Sequence, residues 1–186
     1  MAVNRPPYFA AVITVVGCGM AYALFFLLNH LMFQQLEFVQ GVNWVFLPSG
    51  MRLSLVIIFL EWGALGIALA SMAISFFGYE MSAVNAMVTG GISGLAPWLA
   101  RRLCMDGLKL NPDIQYLKPR QLFQLTVVFS IISPVLHQLW FSSQDSSTQF
   151  VQATLVMIVG DLLGSLIILW GLRLFVWWLR SRRIQD

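Results

Sequence analysis

The sequence predicts an all-α, polytopic integral membrane protein: a six-transmembrane-helix bundle whose second and third helices are short and form a hairpin. Three observations lead there. Of 186 residues, 59% are hydrophobic and only 10% charged, with mean hydropathy +0.78, whereas a soluble domain carries about 25% charged residues. Several apolar runs reach the ~20 residues that cross a bilayer. The 11 Lys and Arg residues crowd at a few loops, which marks membrane sidedness rather than a nucleic-acid face.

The expected helices fall at about 9–33, 47–61, 63–77, 85–100, 122–141 and 150–179, in a single domain spanning 1–186. The first follows Pro6-Pro7, which stop an earlier helical start. Its apolar stretch continues to Phe33 without a polar mature start, so it reads as an uncleaved anchor. Gly17/Ala21 and Gly19/Ala23 are small-xxx-small pairs that let another helix approach.

Residues 43–77 organise the chain. Pro48 suits the first turn of a helix, Arg52 follows within the apolar run, and Glu61-Trp62-Gly63 interrupts it. Two short helices joined by a tight turn are expected, with Arg52 facing the bundle interior. Charge tests this division. With six crossings, ten of the eleven Lys and Arg residues lie on one side with both termini, Arg52 being the exception. With five crossings, the basic segments divide between the two sides, against the positive-inside rule.

The fourth helix is rich in small residues (Gly90, Gly91, Gly94, Ala96), as a helix at the bundle centre should be. Residues 101–121 carry Arg101, Arg102, Lys109, Lys118 and Arg120 with Pro112 and Pro119, and read as an irregular loop. The last helix carries Asp161 midway and closes on Trp177-Trp178 and Arg180, Arg182 and Arg183, an aromatic belt followed by cytoplasmic charge.

Charges away from the ends are few: Arg52, Glu61 and Asp161. Glu61 is expected at the inner turn, beside water or paired with Arg101 or Arg102. An unpaired Arg or Asp in hydrocarbon costs at least ~2.5–3.5 kcal/mol, so Arg52 and Asp161 should face the interior and meet. Such a pair either binds and orients a ligand or fixes how two helices pack. His30, Asn43, Trp44, Asn85 and His137, with Asn29 and Gln138, gather near the same outer end and complete the candidate ligand-binding set. Two histidines without a third ligand at metal spacing do not define a metal site. Cys18 and Cys104 form no disulfide framework. No catalytic triad, phosphate loop or acid pair is present, so a non-enzymatic protein is expected, and no cofactor is indicated.

Phe46-Leu47-Pro48-Ser49-Gly50-Met51-Arg52-Leu53, then Glu61-Trp62-Gly63-Ala64-Leu65-Gly66, resembles two families. One is the bacterial membrane-associated sensor domain of the MASE type, with its late Gly-Asp-x-x-Gly helix matched by Gly160-Asp161-Leu162-Leu163-Gly164. The other is the substrate-binding S component of energy-coupling-factor transporters, whose proline-led helix and glycine-rich turn are similar to residues 47–66. The chain departs from both: the output domain that usually follows such a sensor domain is not expected here, and Gly17-x-x-x-Ala21 and Gly19-x-x-x-Ala23 stand where S components carry an alanine motif. These resemblances imply a multi-pass protein of the bacterial inner membrane with both termini cytoplasmic. They imply recognition of a small polar or anionic ligand from the outer side, with other membrane protein subunits and the lipid bilayer as partners and no nucleic acid. The competing expectation is a structural or assembly subunit of a larger membrane complex.

Overall fold

The computed structural model describes residues 8–107, 118–144 and 149–182. In chain order these form α1 (Tyr8–Phe33), a 3₁₀ turn (Gln34–Leu36), β1 (Glu37–Val39), β2 (Val42–Asn43) and α2 (Leu47–Ala73), which continues as a π-helical turn (Ile74–Gly78). Then come α3 (Ala83–Gly107), α4 (Pro119–Gln144) and α5 (Phe150–Arg182). Four runs, Tyr8–Leu36, Leu47–Gly78, Pro119–Gln144 and Phe150–Phe175, are long and apolar enough to cross a membrane. This fits a multi-pass membrane protein.

The described residues hold five α-helices, not six. The second and third expected helices belong to one element, α2, which is broken at Leu60 (φ 54°, ψ −128°). Those torsions are the mirror image of the first central residue of a type II turn, a position that favours glycine. The chain reverses there. A Cβ added to Gly63 would stand 2.6 Å from the Leu55 carbonyl oxygen, a contact that eight residues of straight helix, about 12 Å of rise, rule out. Phe46, before α2, and Tyr79, after it, both rest on the ring of Phe26, with centroids 6.2 and 6.0 Å away. The reversal comes at Leu60, just ahead of the expected Glu61-Trp62-Gly63.

The returning arm lies between α1 and α3 through glycine contacts. Gly66 is pressed on Val15 and Cys18, Gly90 on Ala68 and Met72, and Gly94 on Ala64 and Ala68. Gly19 of the expected Gly19/Ala23 pair packs on Gly66, whereas Gly17 faces outward and meets nothing. The first arm lies on α4 and α5. Leu53 and Ile57 share a buried cluster with Ala96, Ala100, Leu125 and Phe129, and Gly50 is held against Gly164, Ser165 and Ile168. Because Val15 sits beside Gly66 and Phe26 beside Tyr79, α1 starts at the Leu60 end and finishes at the β-hairpin end. Helix α5 runs the other way, with Gly160 against Asn43 and Ile168 against Gly50.

Three further boundaries differ from expectation. Helix α3 continues through Pro97 to Gly107, so Arg101 and Arg102 lie on a helix and not in a loop. Arg102 stacks over Trp98 (5.2 Å) and reaches Asp106 one turn on (4.0 Å), while Glu61 lies within electrostatic reach of Arg101. Lys109, Pro112 and Asp113 lie outside the described residues. Residues 34–46, expected as a plain connection, carry the 3₁₀ turn and a two-stranded hairpin. Its turn is closed by the Glu37 carboxylate accepting from the Gly41 N–H at 2.6 Å. Helix α4 extends about three residues past its expected limits at either end. Cys18 and Cys104 are both free and lie in different buried clusters.

Candidate functional site

Segment 43–47 delivers α2 into the bundle, and α5 is shaped to receive it. A Cβ at Gly160 would meet the Asn43 carbonyl, and one at Gly164 the Phe46 carbonyl. Only glycine at both places lets the entering backbone lie flat on α5. The Phe46 N–H donates to the Gly160 carbonyl at 3.1 Å. Pro48 needs no partner for its nitrogen, and the Leu47 N–H finds one in Asn29 Oδ1 of α1 at 2.8 Å. A buried side chain from another helix thus does the work that a local cap does elsewhere. The Ser49 hydroxyl lies 2.7 Å from the Phe46 carbonyl, 2.9 Å from that of Asp161 and 3.2 Å from Ser165 Oγ.

With this entry fixed, Arg52 sits one turn inside, 1% exposed, opposite Asp161, also 1% exposed. Arg52 Nη2 donates to both carboxylate oxygens, at 3.2 and 3.3 Å. The pair is therefore not the two-nitrogen fork that makes Arg–carboxylate contacts strong, and it is longer than the usual 2.7–2.9 Å of charge-assisted bonds. Arg52 Nε is buried with no hydrogen-bond partner. The guanidinium lies between two rings, its carbon 5.4 Å from the centroids of both Phe46 and Phe129, which compensates a cation removed from water.

Arg52 borders a small chamber of about 60 Å³, lined also by Tyr22, Ser71, Thr89, Ser93 and His137. His137 Nδ1 is 2.8 Å from the Ser133 carbonyl, and its Nε2 is 3.3 Å from Ser93 Oγ, to which Ser71 donates at 2.9 Å. Thr89 Oγ1 is buried without a partner.

A larger cleft of about 660 Å³ lies at the β-hairpin end, lined by the hairpin and the ends of α3, α4 and α5. Asn85, Gln138, Gln144, Gln149, Trp140 and Phe38 are among its walls, and none of the described residues lining it is charged. Gln138, buried, donates its amide to Met157 Sδ at 3.2 Å, a poor acceptor. The indole N–H of Trp140 has no partner. Cleft and chamber share Gln40, Met81 and Phe141 as wall residues, so the two volumes lie side by side.

The expected site residues divide accordingly. Arg52 and His137 border the chamber, Asp161 stands behind Arg52, and Asn85 and Gln138 line the cleft. Asn43 is a buried residue of β2 with its carbonyl over Gly160. Trp44 is 44% exposed and lines neither the chamber nor the cleft; its backbone N–H donates to the Leu36 carbonyl. His30 faces outward beside Phe77 and Gly78, away from Arg52 and from His137. Among the described residues, no three His, Cys, Asp or Glu side chains gather as a metal site would need.

Tyr22, Ser71, Thr89 and Ser93 escaped the sequence reading, because serine and threonine are ordinary in membrane helices. A signal existed nonetheless. Thr89 and Ser93 are four apart and share a helical face, each followed by a glycine of the tight α2 contact, Gly90 and Gly94. No family model, curated protein or solved structure matches this chain.

Proposed function

We propose that this protein is a non-enzymatic membrane receptor that recognises a small ligand at the β-hairpin end of the bundle and passes its bound state to partner subunits. One observation carries the reading: the buried Arg52 borders a polar chamber that shares Gln40, Met81 and Phe141 with a neighbouring cleft whose described walls carry no charge, and we take those three residues as the neck between the two. Cavities of several hundred Å³ with apolar walls and a few convergent polar groups are the usual form of small-molecule sites. The Arg52–Asp161 pair serves a second purpose here, since it also ties the first arm of α2 to α5.

Alternating chain directions support six crossings, each arm of α2 making one, with the Leu60 turn, both termini and the basic 108–118 connection cytoplasmic. The positive-inside rule supports that sidedness. It makes the β-hairpin end the outer one. The resemblance to MASE-type sensor domains and to S components agrees with this arrangement, and the location we infer is the bacterial inner membrane. Gly17, which faces outward on α1, suits approach by a partner helix.

The assembly reading differs in what it expects of the interior. Purification of the full chain from its own membrane, followed by mass spectrometry of bound small molecules, separates the two. We expect one compound at near-stoichiometric amounts, lost on Met81→Trp at the neck. Companion chains at fixed ratio with no bound compound would establish the assembly role instead.

A further inference from the structure

We infer that the ligand is a small monocarboxylic acid whose carboxylate enters the Arg52 chamber and whose uncharged, largely apolar body occupies the outer cleft. The inference rests on the receptor reading above and assigns its chemical class.

The chamber sets the head group. About 60 Å³ is space for water-sized positions, and one water needs on the order of 10–15 Å³ of it, so a group of three or four heavy atoms fits. Two residues bordering that space carry a buried donor without a hydrogen-bond partner, Arg52 at Nε and Thr89 at Oγ1. A buried donor left without an acceptor costs about 1–3 kcal/mol, and a carboxylate offers an oxygen to each. Among the described residues Arg52 is the charged side chain that borders the chamber, and Asp161, held on Nη2, does not line it, so an entering carboxylate meets the guanidinium first and the Asp161 carboxylate only across it.

The cleft sets the body. None of the described residues along its walls is charged, so they offer nothing to a second carboxylate, a phosphate or an ammonium group. Phe38, Trp140 and Phe141 supply apolar faces, and the amides of Gln138 and Asn85 supply neutral hydrogen bonds. The shared neck keeps head and body within one molecule's length.

The test uses the full chain in phosphatidylcholine nanodiscs, with tryptophan fluorescence and calorimetry as readouts. The probes are indole-3-acetate, phenylacetate and octanoate, their carboxamides, and formate and nitrate. At least one acid should bind saturably, with its carboxamide tenfold weaker or worse. Thr89→Val should weaken that acid about tenfold and leave its carboxamide unchanged, while Trp140→Phe, outside the chamber, should weaken both. A carboxamide that binds as well as its acid overturns the assigned class and leaves the receptor reading standing. Formate or nitrate binding as tightly as the acids overturns the body-in-cleft half, reducing the chamber to a site for free anions. If no probe binds, the assigned class falls, and the compound recovered from the native membrane decides the receptor reading by itself.

Discussion

Gly63 lies so close to Leu55 that a single added methyl would stand 2.6 Å from the Leu55 carbonyl oxygen. The contact exists because the chain doubles back at Leu60, and it sets how tightly the two arms of α2 close. The depth of Arg52 and the outward return of Ser71 and Tyr79 both depend on that closure.

The first prediction concerns this contact. Gly63→Ala should destabilise the folded protein by about 1–3 kcal/mol, the usual cost of forcing an extra carbon into a filled site. Gly91→Ala, at a glycine whose added Cβ meets nothing within 4 Å, should change stability by no more than about 0.5 kcal/mol. Thermal unfolding of the two variants in the same detergent compares them directly. Equal stability would mean that the arms are not closed at Gly63.

A second prediction addresses the buried ion pair. Asp161→Ala leaves Arg52 as an unpaired interior charge and should cost about 3–5 kcal/mol. Replacing both partners by apolar residues, Arg52→Met with Asp161→Leu, should recover much of that loss while abolishing binding of any anionic ligand. A double-mutant cycle on reversible unfolding measures the coupling. Strict additivity of the two single losses would show that the side chains do not interact.

The third follows from the cap supplied across helices. Asn29→Ala removes the acceptor of the Leu47 N–H and should destabilise by about 1–3 kcal/mol, the penalty for a buried donor left alone. Asn29→Asp keeps an oxygen in place and should be milder. Hydrogen exchange at Leu47 provides a local readout, and it should quicken in the alanine variant alone.

Sidedness gives a fourth prediction. Cysteine introduced at the exposed Glu61 should react with impermeant reagents from the same side as one at Gly107, and Ser82→Cys from the opposite side. Native Cys18 and Cys104 are buried and should stay silent in intact membranes. Labelling of Glu61→Cys and Ser82→Cys from a common side contradicts the two-arm crossing.

The fifth concerns Tyr79, which follows the second arm. Burial, with the Glu37 carboxylate adding, pushes its phenol up to about 12. An unfolded tyrosine ionises near 10, so between those values the unfolded chain holds fewer protons than the folded one. Stability contributed by the neutral phenol is therefore complete below pH 10 and lost as pH rises through 12. Ultraviolet titration should show a phenolate component near pH 12 that disappears in Tyr79→Phe, whose stability should fall less steeply over the same interval.

Much of the site was legible because charge in an apolar chain is rare. Arg52 and Asp161 stand out on solvation cost alone, and their pairing follows from two groups that must each find a partner. Small residues were harder to read. Gly160 and Gly164 stand out in the sequence only as a motif around Asp161, and their physical role appears once the Asn43 and Phe46 carbonyls are seen lying on them. Likewise, Ser71, Thr89 and Ser93 gain meaning only where α2, α3 and α4 converge on His137. The helical extension through Arg101 and Arg102 was missed because Pro97 and the basic run imitate a helix end; Arg102 resting on Trp98 restores it.

By itself the sequence determined that the chain is helical and suited to a membrane, that it turns near Trp62, and that Arg52 and Asp161 seek each other. Those features depend on local composition and on transfer costs that any bilayer imposes. Only the tertiary structure decided that α2 remains one broken element, that Asn29 and not a neighbour caps it, and that a chamber opens beside Arg52. Each of these depends on which backbones approach within a methyl group's width, a distance no hydropathy pattern encodes.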